Sequence, residues 1–197
     1  DKKAEELITN HIKQLTPDIP IYGEESFNNN FTPSEFFWLI DPIDGTKAFI
    51  SRDNFFTINI ALIKNNKPLL GVVYEPQNSD LYVGSPLGAF KNDKPISVVK
   101  NNSELVIANN FASKNIALRN KFFESIKVKS FLDLTSSIKI CKIAEGVADL
   151  YPRFGYTCEW DTGAGHAILK YAGGNIITID KQELLYGKYK LLNPKFI

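Results

Sequence analysis

The stretch Trp38-Leu39-Ile40-Asp41-Pro42-Ile43-Asp44-Gly45-Thr46 sets an apolar strand pattern, Phe36 to Ile40, directly against two carboxylates. Pro42 fixes its own φ and biases Asp41 toward an extended shape. Gly45 permits a tight bend and close backbone approach. The reading is a buried strand that stops at an acidic turn. Two acids at such a mouth repel each other unless a cation sits between them. Rigidly placed carboxylate oxygens suit a hard divalent ion such as Mg²⁺. Thr46 adds a hydroxyl where a reacting water could be oriented. A D-P-x-D-G sequence is also a common surface turn. Its place after an apolar run, and the acids found elsewhere, favour a site.

Outward from this stretch, residues 3–15 read as a helix from the spacing of Leu7, Ile8, Ile12 and Leu15. Ile19 to Tyr22 reads as a short strand leading into Gly23-Glu24-Glu25-Ser26, and 27–35 as a loop. Phe56–Ile63 and Leu69–Tyr74 flank Lys64-Asn65-Asn66-Lys67-Pro68, a hairpin signal. Leu81–Val83 and Ala89–Lys91 are further strands. The first part is thus an antiparallel-rich sheet with helix support. Val98 to Glu104 crosses to a second lobe. There, strands are expected at 105–108, 128–132, 148–151 and 176–179. Helices are expected at 114–125, at 136–145 (opened by Thr135 or Ser136) and at 161–172, the last stopped by Gly173-Gly174. This alternation is that of an α/β layer. The fold class is α/β (α+β), with a lobe over 1–104 and an α/β lobe over 105–197 completing the site.

With 197 residues, 44% hydrophobic and 23% charged, the chain can bury a large core. A net charge of +1 gives no reason to expect nucleic acid or an anionic membrane as partner. No apolar run approaches the roughly 20 residues of a membrane span. Cys141 and Cys158, with no signal segment, fit a reducing cytoplasm. There is no Met, and the first residue is Asp1, so an N-terminal segment is expected to be missing. A homodimer is an open expectation.

Four acidic spots fall at element ends: Asp1 before a helix, Glu24 and Glu25 after a strand, Asp41 and Asp44 after another, and Asp161 at a helix start. Converging, they would hold on the order of two or three Mg²⁺ ions, activating water on one side of a phosphate and stabilising the leaving oxygen on the other. Backbone N–H groups at Asp161, Gly45 and Thr46 would receive the phosphate. No cysteine-phosphatase loop or P-loop is present, so the expected chemistry is phosphomonoester hydrolysis without a protein nucleophile. His166 reads as a packed histidine, and Cys141, Trp160 and Phe36-Phe37-Trp38 as core.

Gly23-Glu24-Glu25-Ser26, Asp41-Pro42-Ile43-Asp44-Gly45-Thr46 and Trp160-Asp161-Thr162-Gly163-Ala164-Gly165-His166 resemble the three signatures of the inositol monophosphatase family. Thr57-Ile58-Asn59-Ile60-Ala61-Leu62-Ile63 and Leu150-Tyr151-Pro152-Arg153-Phe154-Gly155, among others, resemble its bacterial 3'(2'),5'-bisphosphate nucleotidase branch. The resemblance implies a layered αβαβα sandwich of the inositol monophosphatase and fructose-1,6-bisphosphatase type. It implies a Mg²⁺-dependent, lithium-sensitive phosphomonoesterase. It also implies an upstream helical segment on the order of 40 residues.

By the same resemblance, Glu24, Asp41, Asp44 and Asp161 are metal ligands, with Ile43 through its carbonyl and Asp1 supporting a metal or its water. Thr46, paired with Glu24, orients and deprotonates the attacking water, and Asp44 belongs to the catalytic set. Ser136 and Lys139, one helical turn apart, resemble with Arg153 the residues that contact a nucleotide. Arg153 favours a doubly phosphorylated ligand, since its planar fork pairs with two oxygens. Two positions depart from the branch: Phe111 stands where a histidine donor is usual, and Ala48 where an acid is common. The implied activity is removal of the 3'-phosphate from adenosine 3',5'-bisphosphate. The alternatives are an inositol monophosphatase or other sugar phosphatase, and a truncated, weakly active or inactive homologue that only binds metal or nucleotide.

Overall fold

A computed structural model describes residues 1–51, 56–99, 103–109 and 116–197. Phe111 and the side chain of Ala48 lie outside the described residues. Helix α1 (Lys2–Leu15) leads to β1 (Ile21–Gly23) and β2 (Phe36–Asp44). The short helix α2 (Thr46–Ser51) precedes β3 (Thr57–Lys64), β4 (Lys67–Glu75), β5 (Asp80–Ser85), β6 (Gly88–Lys91) and β7 (Lys94–Pro95). The second part carries β8 (Leu105–Asn109), α3 (Ile116–Glu124), β9 (Val128–Asp133), α4 (Ile138–Ala144) and α5 (Gly163–Tyr171).

Strands β1 to β7 form one sheet in sequence order, parallel only between β1 and β2. The β3–β4 hairpin turns on Asn65 and Asn66, both in the left-handed region that two-residue hairpin turns require. Strands β8 and β9 make a separate parallel pair. Helix α1 packs on β2, α5 lies across β3, β4 and β5, and α4 sits between α5 and β8. Helix α3 leans on β9 through Phe123 and Phe131, whose ring centroids are 5.0 Å apart. The layers therefore run helix, sheet, helices, sheet, helix, the expected sandwich.

Close approach of α5 to the large sheet depends on two bare backbones. A Cβ on Gly71 would stand 2.2 Å from the Ala164 carbonyl oxygen, and one on Gly84 would stand 2.4 Å from Ile168 Cα. Between these layers lies the core of Phe37, Leu39, Ile63, Tyr82, Ile140 and Ile168.

Several elements depart from the sequence reading. Strand β2 does not stop at Ile40 but runs through Asp44. The runs 148–151 and 176–179 make only isolated bridges, Ile107 with Leu150, Ile177 with Glu183 and Thr178 with Phe196. Ala148, Tyr151 and Ile176 are buried by packing, whereas Ile177 and Ile179 are exposed, and neither run has a full ladder partner among the described residues. Helix α4 is capped by Ser137, and Ser136 lies outside it with φ +51°. Helix α5 is capped by Thr162, so Asp161 is not its first residue.

Candidate active site

The local geometry of β2 explains how two acids three residues apart can work together. In a regular strand such residues face opposite sides. Asp41 pairs with Asn59 and Asp44 with Thr57, so three steps on β2 match two on β3. This is a bulge. Pro42, which has no N–H to give to a ladder, falls inside it. The Ile43 N–H donates to Asp41 Oδ1 at 3.1 Å and pins the irregularity. The extra residue returns Asp44 to the side of Asp41. Gly45 follows at φ +96°, where the chain turns into α2.

Two further acids are brought to this end of β2. The Glu24 N–H donates to the Ile40 carbonyl at 3.0 Å, which fixes the residue after β1 beside Asp41. Asp161 is held in a loop by its own side chain, with Oδ2 accepting the Cys158 N–H at 2.8 Å. The four carboxylates act on one another. Burial, then the charges of Asp44, Asp161 and Glu24, raise the proton affinity of Asp41, which is only 1% exposed. Burial, then Asp44, raise that of Asp161. Glu24 reaches solvent, yet burial of part of its side chain and the nearby acids raise it too. Asp44 is also raised by burial, against the opposing pull of Lys139, the Ser137 N–H, Asn59 and Arg153.

Among the described residues, no three His, Cys, Asp or Glu side chains form a ready-made metal cage. The donor chemistry nevertheless fits a hard divalent cation. Burial favours a proton on each of these acids, and the neighbouring carboxylates add to this for Glu24, Asp41 and Asp161. A proton there does what a cation would do better, since all the donors are oxygens.

The remaining predicted residues divide. Asp1 is the exposed N-cap of α1, without a side-chain cap bond, and is not among the main charges felt by the other acids. The Thr46 hydroxyl donates to the Ile43 carbonyl at 3.2 Å, in place of the expected pairing with Glu24. Its lone pairs stay available to accept from a water. The N–H groups of Thr162 and Gly163 are both engaged by the Glu159 carbonyl, at 3.2 and 2.9 Å, so the turn after Asp161 offers fewer donors than expected.

A cavity of about 400 Å³ joins the acids to the second predicted group: Asp44, Gly45, Thr46 and Asp161 line it together with Ser136, Lys139 and Arg153. Lys139 is not a solvated helix lysine but is 3% exposed. Its Nζ donates to the Ser136 carbonyl at 2.5 Å and lies 5.1 Å from the Tyr151 ring centroid. Burial, assisted by Arg153 and opposed by Asp44, brings its pKa down to about 8. Arg153 Nη2 donates to the Tyr156 carbonyl at 3.1 Å. Ser136 Oγ and Arg153 Nε are buried without a hydrogen-bond partner. Ser136 and Lys139 thus share the cavity but not a helix face.

Sequence reasoning missed Thr57, Asn59 and Ser137, all buried beneath the acids. The signal was present: on β3, Thr57 and Asn59 occupy the same alternate positions as the core residues Ala61 and Ile63. His166 is a packed histidine as expected, between the Tyr186 hydroxyl at 3.0 Å and Asn175 Oδ1 at 2.9 Å.

A bulged strand end with paired acids, set in this five-layer sandwich, is the arrangement of a metal-dependent phosphatase. Residues 1–195 match the inositol monophosphatase family, and the chain belongs to it. It is similar to the 3'(2'),5'-bisphosphate nucleotidase CysQ of Escherichia coli K12, at 37% identity over 203 residues, covering 100% of this chain and 82% of that protein. The enzyme of that name from Buchnera aphidicola is 40% identical over 185 residues, covering 90% of this chain and 69% of the relative. Among solved structures, CysQ from Bacteroides thetaiotaomicron superimposes with a TM-score of 0.83 at 31% identity, covering 95% of this chain and 80% of that one.

Proposed function

We propose that the chain is a Mg²⁺-dependent 3'(2'),5'-bisphosphate nucleotidase that removes the 3'-phosphate of adenosine 3',5'-bisphosphate. The observation that carries this is one cavity lined by the acids Asp44 and Asp161 together with Lys139 and Arg153. Glu24, Asp41, Asp44, Asp161 and the Ile43 carbonyl would hold on the order of two or three ions. Bound there, the ions supply a more acidic water and neutralise phosphate oxygens.

The chain's own groups do the rest. Thr46 Oγ, its proton given to Ile43, accepts from the attacking water and orients it. Glu24, on the solvent side, takes the proton that this water loses. A P–O bond forms to the water oxygen and the bond to the ribose 3'-oxygen breaks; the 3'-oxygen takes a proton from solvent water and Glu24 returns its proton to solvent, giving adenosine 5'-phosphate and inorganic phosphate. Lys139, Arg153 and the unpaired Ser136 hydroxyl hold the phosphate that is not cleaved. In this reading the lobe over 1–104 brings most of the metal-binding groups, and that over 105–197 brings Asp161 and the substrate contacts. Among the described residues no helix is long and apolar enough to cross a membrane. Cys141 and Cys158 are unpaired, as suits the cytoplasm.

Phosphate release from adenosine 3',5'-bisphosphate and from inositol 1-phosphate, with and without Mg²⁺, tests the reading. Mg²⁺-dependent turnover with a clear preference for the bisphosphate is expected. Equal or greater turnover of inositol 1-phosphate would overturn the substrate assignment.

A further inference from the structure

Beneath the acidic wall lies a buried polar chain that the reaction, as described, does not use. Ser137 Oγ stands 2.7 Å from Asn59 Oδ1 and 2.8 Å from Thr57 Oγ1. All three residues are 3% exposed or less. The direction of the protons follows from the donor inventory. An amide oxygen only accepts, so Ser137 gives its single proton to Asn59. That proton being used, the contact with Thr57 requires Thr57 to donate to Ser137. The chain therefore runs from Thr57 to Ser137 to Asn59 and leaves the amide nitrogen of Asn59 as its free end. Turning the amide over would reverse this order, with the amide N–H donating to Ser137, and would set an oxygen toward the acids.

Asn59 Nδ2 is buried with no acceptor within hydrogen-bonding range. An orphaned buried donor is uncommon and calls for a reason. The sheet register supplies one: Asn59 is opposite Asp41, and Thr57 is opposite Asp44. The bulge brings Asp44 back to the side of Asp41, so the amide lies across the β2–β3 pairing from both acids, and Ser137 lines the same cavity as Asp44. Ser137 in turn lies between Ser136 and Lys139, which line the cavity. One relay thus joins β3 and the α4 cap beneath the bulge that carries Asp44.

We propose that Thr57, Ser137 and Asn59 form a directional hydrogen-bond relay that positions the Asp44 carboxylate by aiming an amide N–H at it from the core. They are positioning residues for the reaction, an assignment that rests on reading Asp44 as a cation-binding carboxylate. Partners one step removed from a metal govern affinity and rate by fixing the orientation of the ligand itself.

The test compares Asn59→Leu, Ser137→Ala, Thr57→Val and Thr57→Ser with the unaltered chain by Mg²⁺ calorimetry, steady-state kinetics and thermal melting. Mg²⁺ affinity is expected to weaken about 10-fold or more in Asn59→Leu, and less in Ser137→Ala and Thr57→Val. Turnover with the bisphosphate falls in the same order while KM stays within about twofold, and Thr57→Ser restores both quantities. The Thr57 pair changes shape little and decides the matter if Asn59→Leu does not fold. Lowered melting temperature with unchanged Mg²⁺ affinity and turnover overturns the relay, as does a Thr57→Ser no better than Thr57→Val. Mg²⁺ binding needs no substrate. An unaltered chain that ignores the bisphosphate but loses Mg²⁺ affinity in these variants would therefore sink the substrate reading and keep the relay.

Discussion

The acidic side of the site is built mainly from the ends of β1 and β2, with Asp161 added from a loop, and the basic side from loop residues and one short helix. Asp41 and Asp44 sit on β2, hydrogen-bonded between β1 and β3, and their bulge is pinned by the Ile43 N–H. Ser136 stands in a left-handed turn, Lys139 is tied by carbonyls, and Arg153 is tied by Tyr156 and a single bridge to Phe196. The first wall is rigid and short of positive charge. The second is positive and leaves hydrogen-bonding atoms unused. Sheet geometry suits a metal, which demands fixed oxygens. Loop geometry suits the part of a substrate that varies between relatives.

Breaking the acidic wall has the largest expected effect. Asp44→Asn is expected to lower Mg²⁺-dependent turnover by on the order of 10³-fold or more. Because it removes a buried charge that repels Asp41 and Asp161, its melting temperature without metal is unchanged or higher. Turnover and melting curves of the purified variant check both halves. Retained turnover would remove Asp44 from the metal site.

Breaking the basic wall costs less and selects by substrate. Arg153→Ala loses charge-assisted hydrogen bonds worth about 1.5–3 kcal/mol, so KM for the bisphosphate rises on the order of 10- to 100-fold. For a monophosphate with no second phosphate to hold, KM stays nearly constant. Equal effects on the two substrates would disconnect Arg153 from the second phosphate.

The same wall is sharpened by pH. Lys139 is a cation below its pKa of about 8 and neutral above it. Bisphosphate KM is therefore level below that pH and rises above it, by at most about tenfold per pH unit for one proton. In Lys139→Arg the charge persists and the rise disappears. A KM flat through pH 9 in the unaltered chain would show that the lysine charge does not hold substrate.

The two walls were legible to different degrees. Alternation on β3 and β4 and the Asn65-Asn66 turn announced the large sheet, since a half-buried strand has to alternate. Asp41, Asp44 and Asp161 were readable because acids at the ends of apolar runs are conspicuous. The bulge was not, because Pro42 reads equally as a turn and only the partner strand shows that the ladder resumes at Asp44. The burial of Lys139 was equally hidden, for it depends on the distant Tyr151 and on a turn at Ser136 that moved the α4 cap by one residue. The runs at 148–151 and 176–179 looked like strands because their apolar residues were visible and the missing ladder partners were not.

The smallest predicted effect isolates what burial does to a lysine. Lys67 Nζ lies 2.5 Å from Glu183 Oε2, closer than many charge pairs, yet the two side chains are 52% and 36% exposed. Solvent screens such a pair and side-chain entropy opposes it, so its contribution is about 0–1 kcal/mol. Lys67→Met is expected to shift stability by about 0.5 kcal/mol or less and to leave KM for the bisphosphate unchanged. Lys139→Met makes the same chemical change at a buried position lining the cavity. It should relieve a desolvated charge and hold or raise the melting temperature, while KM for the bisphosphate rises on the order of tenfold. Denaturant unfolding and kinetics of the two variants side by side measure the contrast. Similar KM values for both would mean that the basic wall is packing and not a phosphate site.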